Sequence, residues 1–219
     1  MADVFDYAKY FMSQNVGANC DNFDGNMKLQ KLLVFANLVS LAERDVPLFD
    51  EKILAFNQGC VIDKVRLRYS NDFNAFVEES RKFNPKFSQE EQSALDITLE
   101  LFGRLSAREL SEINHAFNFW YTAYQNSLEE GGYKDKGKAE VSVDSMRTEI
   151  DRFKSAIFAL RETQSDKQEK ETINGINFYY SLDDIKLTDD IIEKLYNFSL
   201  SATDRAYYIY LDNESLVIY

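Results

Sequence analysis

Apolar residues recur at helical spacing along most of the chain, and the pattern changes toward the C-terminus. Asp3 is placed to cap a first helix whose stripe is Val4, Tyr7, Ala8 and Phe11. Residues 14–26, rich in Asn, Asp and Gly, read as a loop, with Asn26 as the cap of the next helix. Met27 to Arg44 carries Leu29, Leu32, Leu33, Phe35, Ala36, Val39 and Leu41. A helix apolar nearly all round belongs at the centre of a fold. Phe49 to Gln58, with Ile53, Leu54 and Phe56, predicts a short helix ended by Gly59. Val61 to Lys82 predicts two helices broken at Ser70–Asp72.

Two S-x-x-E capping boxes follow, Ser88 with Glu91 and Ser106 with Glu109. The first opens a helix to about Phe102, with Gly103 as its C′ glycine, and the second runs to about His115. Trp120 to Leu128 predicts one more short helix, and Ser142 to Glu162 another. Between them Gly131 to Lys138 lacks large aliphatic side chains and reads as a linker. Thr163 to Glu171 is wholly polar and reads as a loop or frayed end.

The tail has a different texture. Thr172 to Tyr180 is β-branched and aromatic, so it predicts a strand. Thr188 caps a short helix whose Asp189 and Asp190 suit its positive N-terminal end. Arg205 to Leu211 and Ser215 to Tyr219, joined by a turn at 212–214, predict a hairpin that needs the 172–180 strand to complete a sheet. The predicted class is therefore mainly α with a small β element. The predicted units are a helical domain over 1–130 and an extension over 139–219 with a helix and a β-hairpin.

Composition narrows the function. Of the 219 residues, 45% are hydrophobic and 28% charged, enough apolar side chains for a core. Lys and Arg number 25 against 37 Asp and Glu, a net charge of −12. Phosphate is held by Lys and Arg, so direct nucleic-acid binding is disfavoured, while a protein partner or the groove of a nuclease suits this charge. Cys20 and Cys60 form no disulfide framework and no zinc motif, and reduced thiols are expected. There is no apolar run of membrane-spanning length and no basic leader, so an intracellular, cytoplasmic protein is expected.

No chemistry declares itself. His115 is the single histidine and lacks a nucleophile elbow, so a structural role is favoured over a general base. The pairs Asp183–Asp184 and Asp189–Asp190, and the segment Asp21–Gly25, lack the ligand periodicity of a calcium loop. Basic clusters at Lys64/Arg66/Arg68 and Lys134/Lys136/Lys138 read as solvated surface, and Cys60 beside Gly59 as an unreactive thiol. No phosphate loop is present, no cofactor or metal is expected, and the chain reads as a binding protein rather than an enzyme.

Three blocks carry a resemblance. The first is Met27-Lys-Leu-Gln-Lys-Leu-Leu-Val-Phe-Ala36. The second is Pro47-Leu-Phe-Asp-Glu51 followed by Ile53, Ala55-Phe56 and Gly59-Cys60-Val61. The third is Phe102-Gly-Arg-Leu-Ser-Ala107 with Leu110-Ser111, Asn114-His115 and Trp120. In this order they resemble the signature of the Panacea domain family over residues ~3–125, with Phe56, Cys60 and Asn114 replacing the usual Trp, Pro and Thr. The resemblance implies a mostly helical domain found in phages, prophages and bacteria. It also implies an antitoxin that neutralises a toxin, or an adaptor that delivers one to a protease. Leu29, Leu32, Leu33 and Phe35 are then core. Lys28, Gln30, Lys31, His115 and Trp120 serve either a surface role or a network between helices.

Candidate partner-binding residues are accordingly Lys28, Lys31, His115 and Trp120, with Tyr179, Tyr180, Tyr208 and Tyr210 from the tail. Tyrosine is favoured at interface hot spots, and alternation along a strand sends some of these rings away from the core. The expected function is that of an antitoxin acting by direct binding. The alternative is a phage-encoded, anti-CRISPR-like inhibitor of a defence nuclease that uses its acidic surface. A hydrolase built on His115 is the least favoured reading.

Overall fold

The computed structural model describes residues 2–14, 16–130, 133–165, 168–182, 184–212 and 215–219, without the side chains of 162–165, 168 and 212. The chain divides into two compact units, Met1–Ile157 and Phe158–Tyr219. It is mainly α, with a small sheet in each unit.

In the first unit, α1 (Val4–Ser13) is capped by Asp3, whose Oδ1 accepts from the Phe5 amide at 2.9 Å. The central helix α2 (Phe23–Arg44) is buried without interruption from Lys28 to Leu41. It starts earlier than the pattern predicts. Its cap is Asn22, which accepts from the Gly25 amide at 2.7 Å, and not Asn26. Gly25 makes this possible, because a Cβ there would lie 2.2 Å from the Cys20 carbonyl and 2.4 Å from the Tyr69 hydroxyl. Asn26 instead ties α2 to the Arg66 carbonyl and the Ser70 hydroxyl. At the far end Asp45 takes a left-handed conformation and closes α2 onto Leu41, ahead of Pro47.

Around α2 pack α1, α3 (Asp63–Asn71), α5 (Gln89–Phe102) and α6 (Ala107–His115), while α4 (Phe73–Arg81) packs on α1 and α3. Both predicted capping boxes form, at Ser88/Glu91 and Ser106/Glu109. Gly103 closes α5 in the right-handed region, so it is not the left-handed C′ glycine expected. The predicted helix over 49–58 is a correction. Ile53–Phe56 (β1) and Gly59–Val61 (β2) form an antiparallel hairpin with Leu54 opposite Val61. A four-residue apolar run does not distinguish a buried strand from a helix, and Gly59 at φ 94° bends the chain back.

α7 (Asn118–Asn126) has no cap from its own chain neighbours, and the buried Glu149 supplies one by accepting from the Asn118 amide at 3.0 Å. Of the expected linker, 131–132 lie outside the described residues. Past them a 3-10 turn over Lys136–Ala139 leads into β3 (Glu140–Val141), which pairs with β1 to give the order β2-β1-β3. Val141, Met146, Ile150, Phe153 and Ile157 join the first core, Phe153 lying 5.9 Å from the Phe35 ring. α8 (Arg147–Ser165) carries the chain across the division.

The second unit is a sheet in the order β4-β5-β6-β7. Here β4 (Gln168–Ile173) and β5 (Ile176–Ser181) are an antiparallel hairpin turning at Asn174 and Gly175, both at positive φ. Much of the stretch predicted as a polar loop is therefore strand. α9 (Asp189–Ser199), capped by Thr188, crosses from β5 to the parallel β6 (Ala206–Asp212), and β7 (Ser215–Ile218) closes the sheet. The turn at 213–214 lies outside the described residues. Phe178, Tyr180, Tyr207 and Ile209 on one face form a core with Ile191 and Leu195 of α9.

Candidate functional site

The three signature blocks converge on the β1–β2 turn. Six backbone groups between Phe56 and Ile62 are held by side chains of α2, α6 and α7. From α7, the Trp120 indole donates to the Phe56 carbonyl at 2.9 Å, and the Tyr124 hydroxyl to Asn57 Oδ1 at 2.9 Å. From α6, His115 Nε2 meets the Asn57 carbonyl at 3.1 Å and Ser111 donates to the Gln58 carbonyl at 3.1 Å. Asn114 Oδ1 accepts from the Cys60 amide. From α2, Lys31 Nζ donates to the Cys60 carbonyl at 2.9 Å and Gln30 Oε1 accepts from the Ile62 amide at 2.8 Å.

The spacings explain the clamp. Ser111, Asn114 and His115 sit at i, i+3 and i+4 on α6, and Trp120 and Tyr124 at i and i+4 on α7, so each set shares a face. Gly59 must be glycine. A Cβ would lie 2.2 Å from Asn114 Oδ1 and 2.8 Å from Lys31 Cε. The Asn114 Nδ2 group is buried and has no hydrogen-bond partner among the described residues.

Burial sets the electrostatics. It lowers Lys31 to about 8, and pushes the Cys60 thiol up to about 12. It also lowers His115, which the Asn57 carbonyl partly opposes. A thiol held protonated and an imidazole engaged with a backbone carbonyl give no nucleophile-base pair. Among the described residues no group of three His, Cys, Asp or Glu could hold a metal ion.

The candidate residues therefore separate. Lys28 is buried, and its Nζ donates to the Gly103 carbonyl at 3.0 Å, where a cation suits the negative end of α5. Lys31 is buried in the clamp, and His115 and Trp120 are half-buried in it with their rings 4.2 Å apart. Tyr180 faces α9 inside the second core. Tyr179, Tyr208 and Tyr210 lie on the opposite, open face of that sheet. Tyr179 and Tyr208 are register partners 5.5 Å apart, and Tyr219 stacks on Tyr208 at 5.8 Å and meets Tyr210 edge-on at 5.7 Å. Tyr219, another tail aromatic of the kind favoured at hot spots, belongs to this ladder, and its period-2 relation to Val217, opposite Tyr210, places it there.

The basic clusters are neutralised locally. Lys64 pairs with Glu51, Arg66 with Asp63, and Arg68 with Asp72 and Glu79. Lys136 reaches Asp63, Lys138 reaches Glu129, and Lys134 lies 4.0 Å over the Tyr124 ring. Asp189 and Asp190 occupy the first turn of α9, while Asp183 lies outside the described residues.

Residues 29–121 match the model of the family described as antitoxin SocA-like, Panacea domain. This segment is a Panacea domain. Its limits enclose every clamp residue but Tyr124, and Gln30, Lys31, Ser111, Asn114, His115 and Trp120, all from the three blocks, hold one hairpin turn against three helices. The family description supports an antitoxin-type role. Neither a curated protein nor a solved structure matches the chain. No helix among the described residues is long and apolar enough to cross a membrane.

Proposed function

We propose that this protein is a cytoplasmic antitoxin that neutralises a toxin by binding it directly. The Panacea domain is the scaffold, and the C-terminal unit sets partner choice. The observation that carries this reading is the open tyrosine face of β5, β6 and β7. Tyr208, Tyr210 and Tyr219 are 46%, 43% and 68% exposed, and they are braced against one another and against Tyr179. Tyrosine brings large contact area at low conformational cost, and rings held in place before binding lose less entropy on binding. The clamp residues support the scaffold role, because their polar atoms already serve the hairpin.

The test is co-expression with the product of the reading frame adjoining this one. The neighbour alone arrests growth, the full chain relieves the arrest, and the two co-elute. The double variant Tyr208→Ser/Tyr210→Ser, with an unchanged melting temperature, loses both relief and complex. Relief without a complex would overturn direct binding. The alternative, an inhibitor of a defence nuclease, draws support from the net charge of −12. Inhibition of a nuclease that survives the tyrosine variant but is lost on acid-to-amide substitution would favour that alternative.

A further inference from the structure

A cleft of about 240 Å³ opens between the start of α2, the β1–β2 hairpin and α3, beside the clamp. Phe23, Met27 and Phe56 supply apolar wall, and its two cations are Lys31 and Arg66, the latter already paired with Asp63 at 2.6 Å. None of its lining residues is acidic, in a chain whose net charge is −12. Arg66 lies 5.5 Å over the Phe56 ring, so the cation and the aromatic wall adjoin.

Lys31 is the unusual member. It is 1% exposed, and its one hydrogen bond among the described residues goes to the Cys60 carbonyl. An ammonium has three donors, and no carboxylate among the described residues pairs with this one. A buried charge without a counter-ion is costly, so an anion delivered through the cleft gains what the protein itself does not supply. The volume is below the ~300–1,000 Å³ of drug-sized sites and suits one residue-sized group. At the rim the Gln58 side-chain amide and the Asn57 Nδ2 can meet peptide groups leading out of the cleft, while Asn26 is engaged by Arg66, Ser70 and Gln30.

We propose that this cleft captures the C-terminal residue of a partner polypeptide, its carboxylate on Lys31, its apolar side chain against Phe23, Met27 and Phe56, and Arg66, which keeps Asp63, adding a secondary contact at the rim. Capture of a chain-terminal carboxylate is a recurring mode of peptide recognition.

The experiment is a calorimetric or NMR titration of the full chain with N-acetylphenylalanine, its C-terminal amide, and 3-phenylpropionate. N-Acetylphenylalanine binds saturably with Kd about 1 mM, as expected for a ligand of this size. The amide binds at least about tenfold more weakly, from loss of a charge-assisted contact. Affinity is level below pH 8 and falls about tenfold per pH unit above it, because the complex must then take up a proton at Lys31. The other groups facing Lys31 do not reproduce this profile. The Cys60 thiol stays protonated to about 12, His115 is lowered and neutral in this range, and Arg66 and its partner Asp63 contribute fixed charges. Arg66→Gln, at a partly exposed site, weakens binding about threefold to fivefold while the fold survives. Equal binding of the amide, or an affinity level through pH 9.5, would overturn the proposal. Equal binding of 3-phenylpropionate would overturn its polypeptide part and leave a site for a free acid.

Discussion

Lys31 Nζ and the carbonyl oxygen of Cys60 are joined by a 2.9 Å hydrogen bond in which both residues are fully buried. The bond fixes the hairpin on α2, and it gives the protein a stability that depends on alkaline pH. Burial lowers Lys31 to about 8 from 10.5. Between these values the unfolded chain binds the extra proton, so stability rises with pH through this window. Cys60 acts in the opposite sense, since its thiol rises from 9.0 to about 12 and stability falls above pH 9. The clean window is pH 8 to 9, where the wild type gains about 1 kcal/mol relative to Lys31→Met. Urea unfolding of both proteins at pH 7, 8 and 9 measures this. Parallel profiles would show that Lys31 does not titrate there.

Gly59 and Gly175 both adopt positive φ, at 94° and 79°, but only Gly59 is crowded. At Gly59 an added methyl group meets Asn114 and Lys31 within 3 Å, whereas at Gly175 nothing lies within 4 Å. Gly175→Ala should cost only the left-handed backbone penalty of about 1–2 kcal/mol. Gly59→Ala adds overpacking of about 1–3 kcal/mol and forces the clamp open. Thermal melts of the two variants compare them directly. Equal costs would mean that the clamp yields without resistance.

His115 loses affinity for its proton on folding, chiefly through burial. The unfolded state therefore binds more protons just below pH 6.5, and stability falls on acidification through that window. Chemical denaturation between pH 7.5 and 5 should show a steeper loss for the wild type than for His115→Gln. The two slopes coinciding would remove the imidazole from the account.

Parts of this architecture were legible in the chain because they rest on local chemistry. The all-round apolar run of α2, the boxes at Ser88 and Ser106, and the Thr188 cap each depend on side chains a few residues apart. β4 was not legible by hydrophobicity, because an edge strand takes polar and charged residues such as Glu169, Lys170 and Glu171. The Asn174–Gly175 pair was the available signal, since that dipeptide favours a two-residue hairpin turn. The tyrosine face follows from strand alternation once the register is known. The clamp does not, since its acceptors are backbone carbonyls that have no residue type to read.

Glu91 does more than close its capping box. It accepts from the Ser88 amide at 2.9 Å, and its other oxygen accepts from the Tyr7 hydroxyl at 2.8 Å and the Ala2 amide at 3.1 Å. The box at Ser106 and Glu109 is exposed, and among the described residues no hydrogen bond ties it to another helix. Ser106→Ala should therefore cost about 1 kcal/mol, the usual value of a cap. Glu91→Ala removes a cap and leaves the buried Tyr7 hydroxyl without its acceptor, for a cost of about 2–4 kcal/mol. The same bridge pushes the Tyr7 phenol well above its ordinary range, with burial as the larger cause. A Glu91→Ala protein should accordingly ionise Tyr7 at lower pH, which ultraviolet difference spectroscopy can follow. A loss of stability without that spectral change would place the effect of Glu91 in the cap alone.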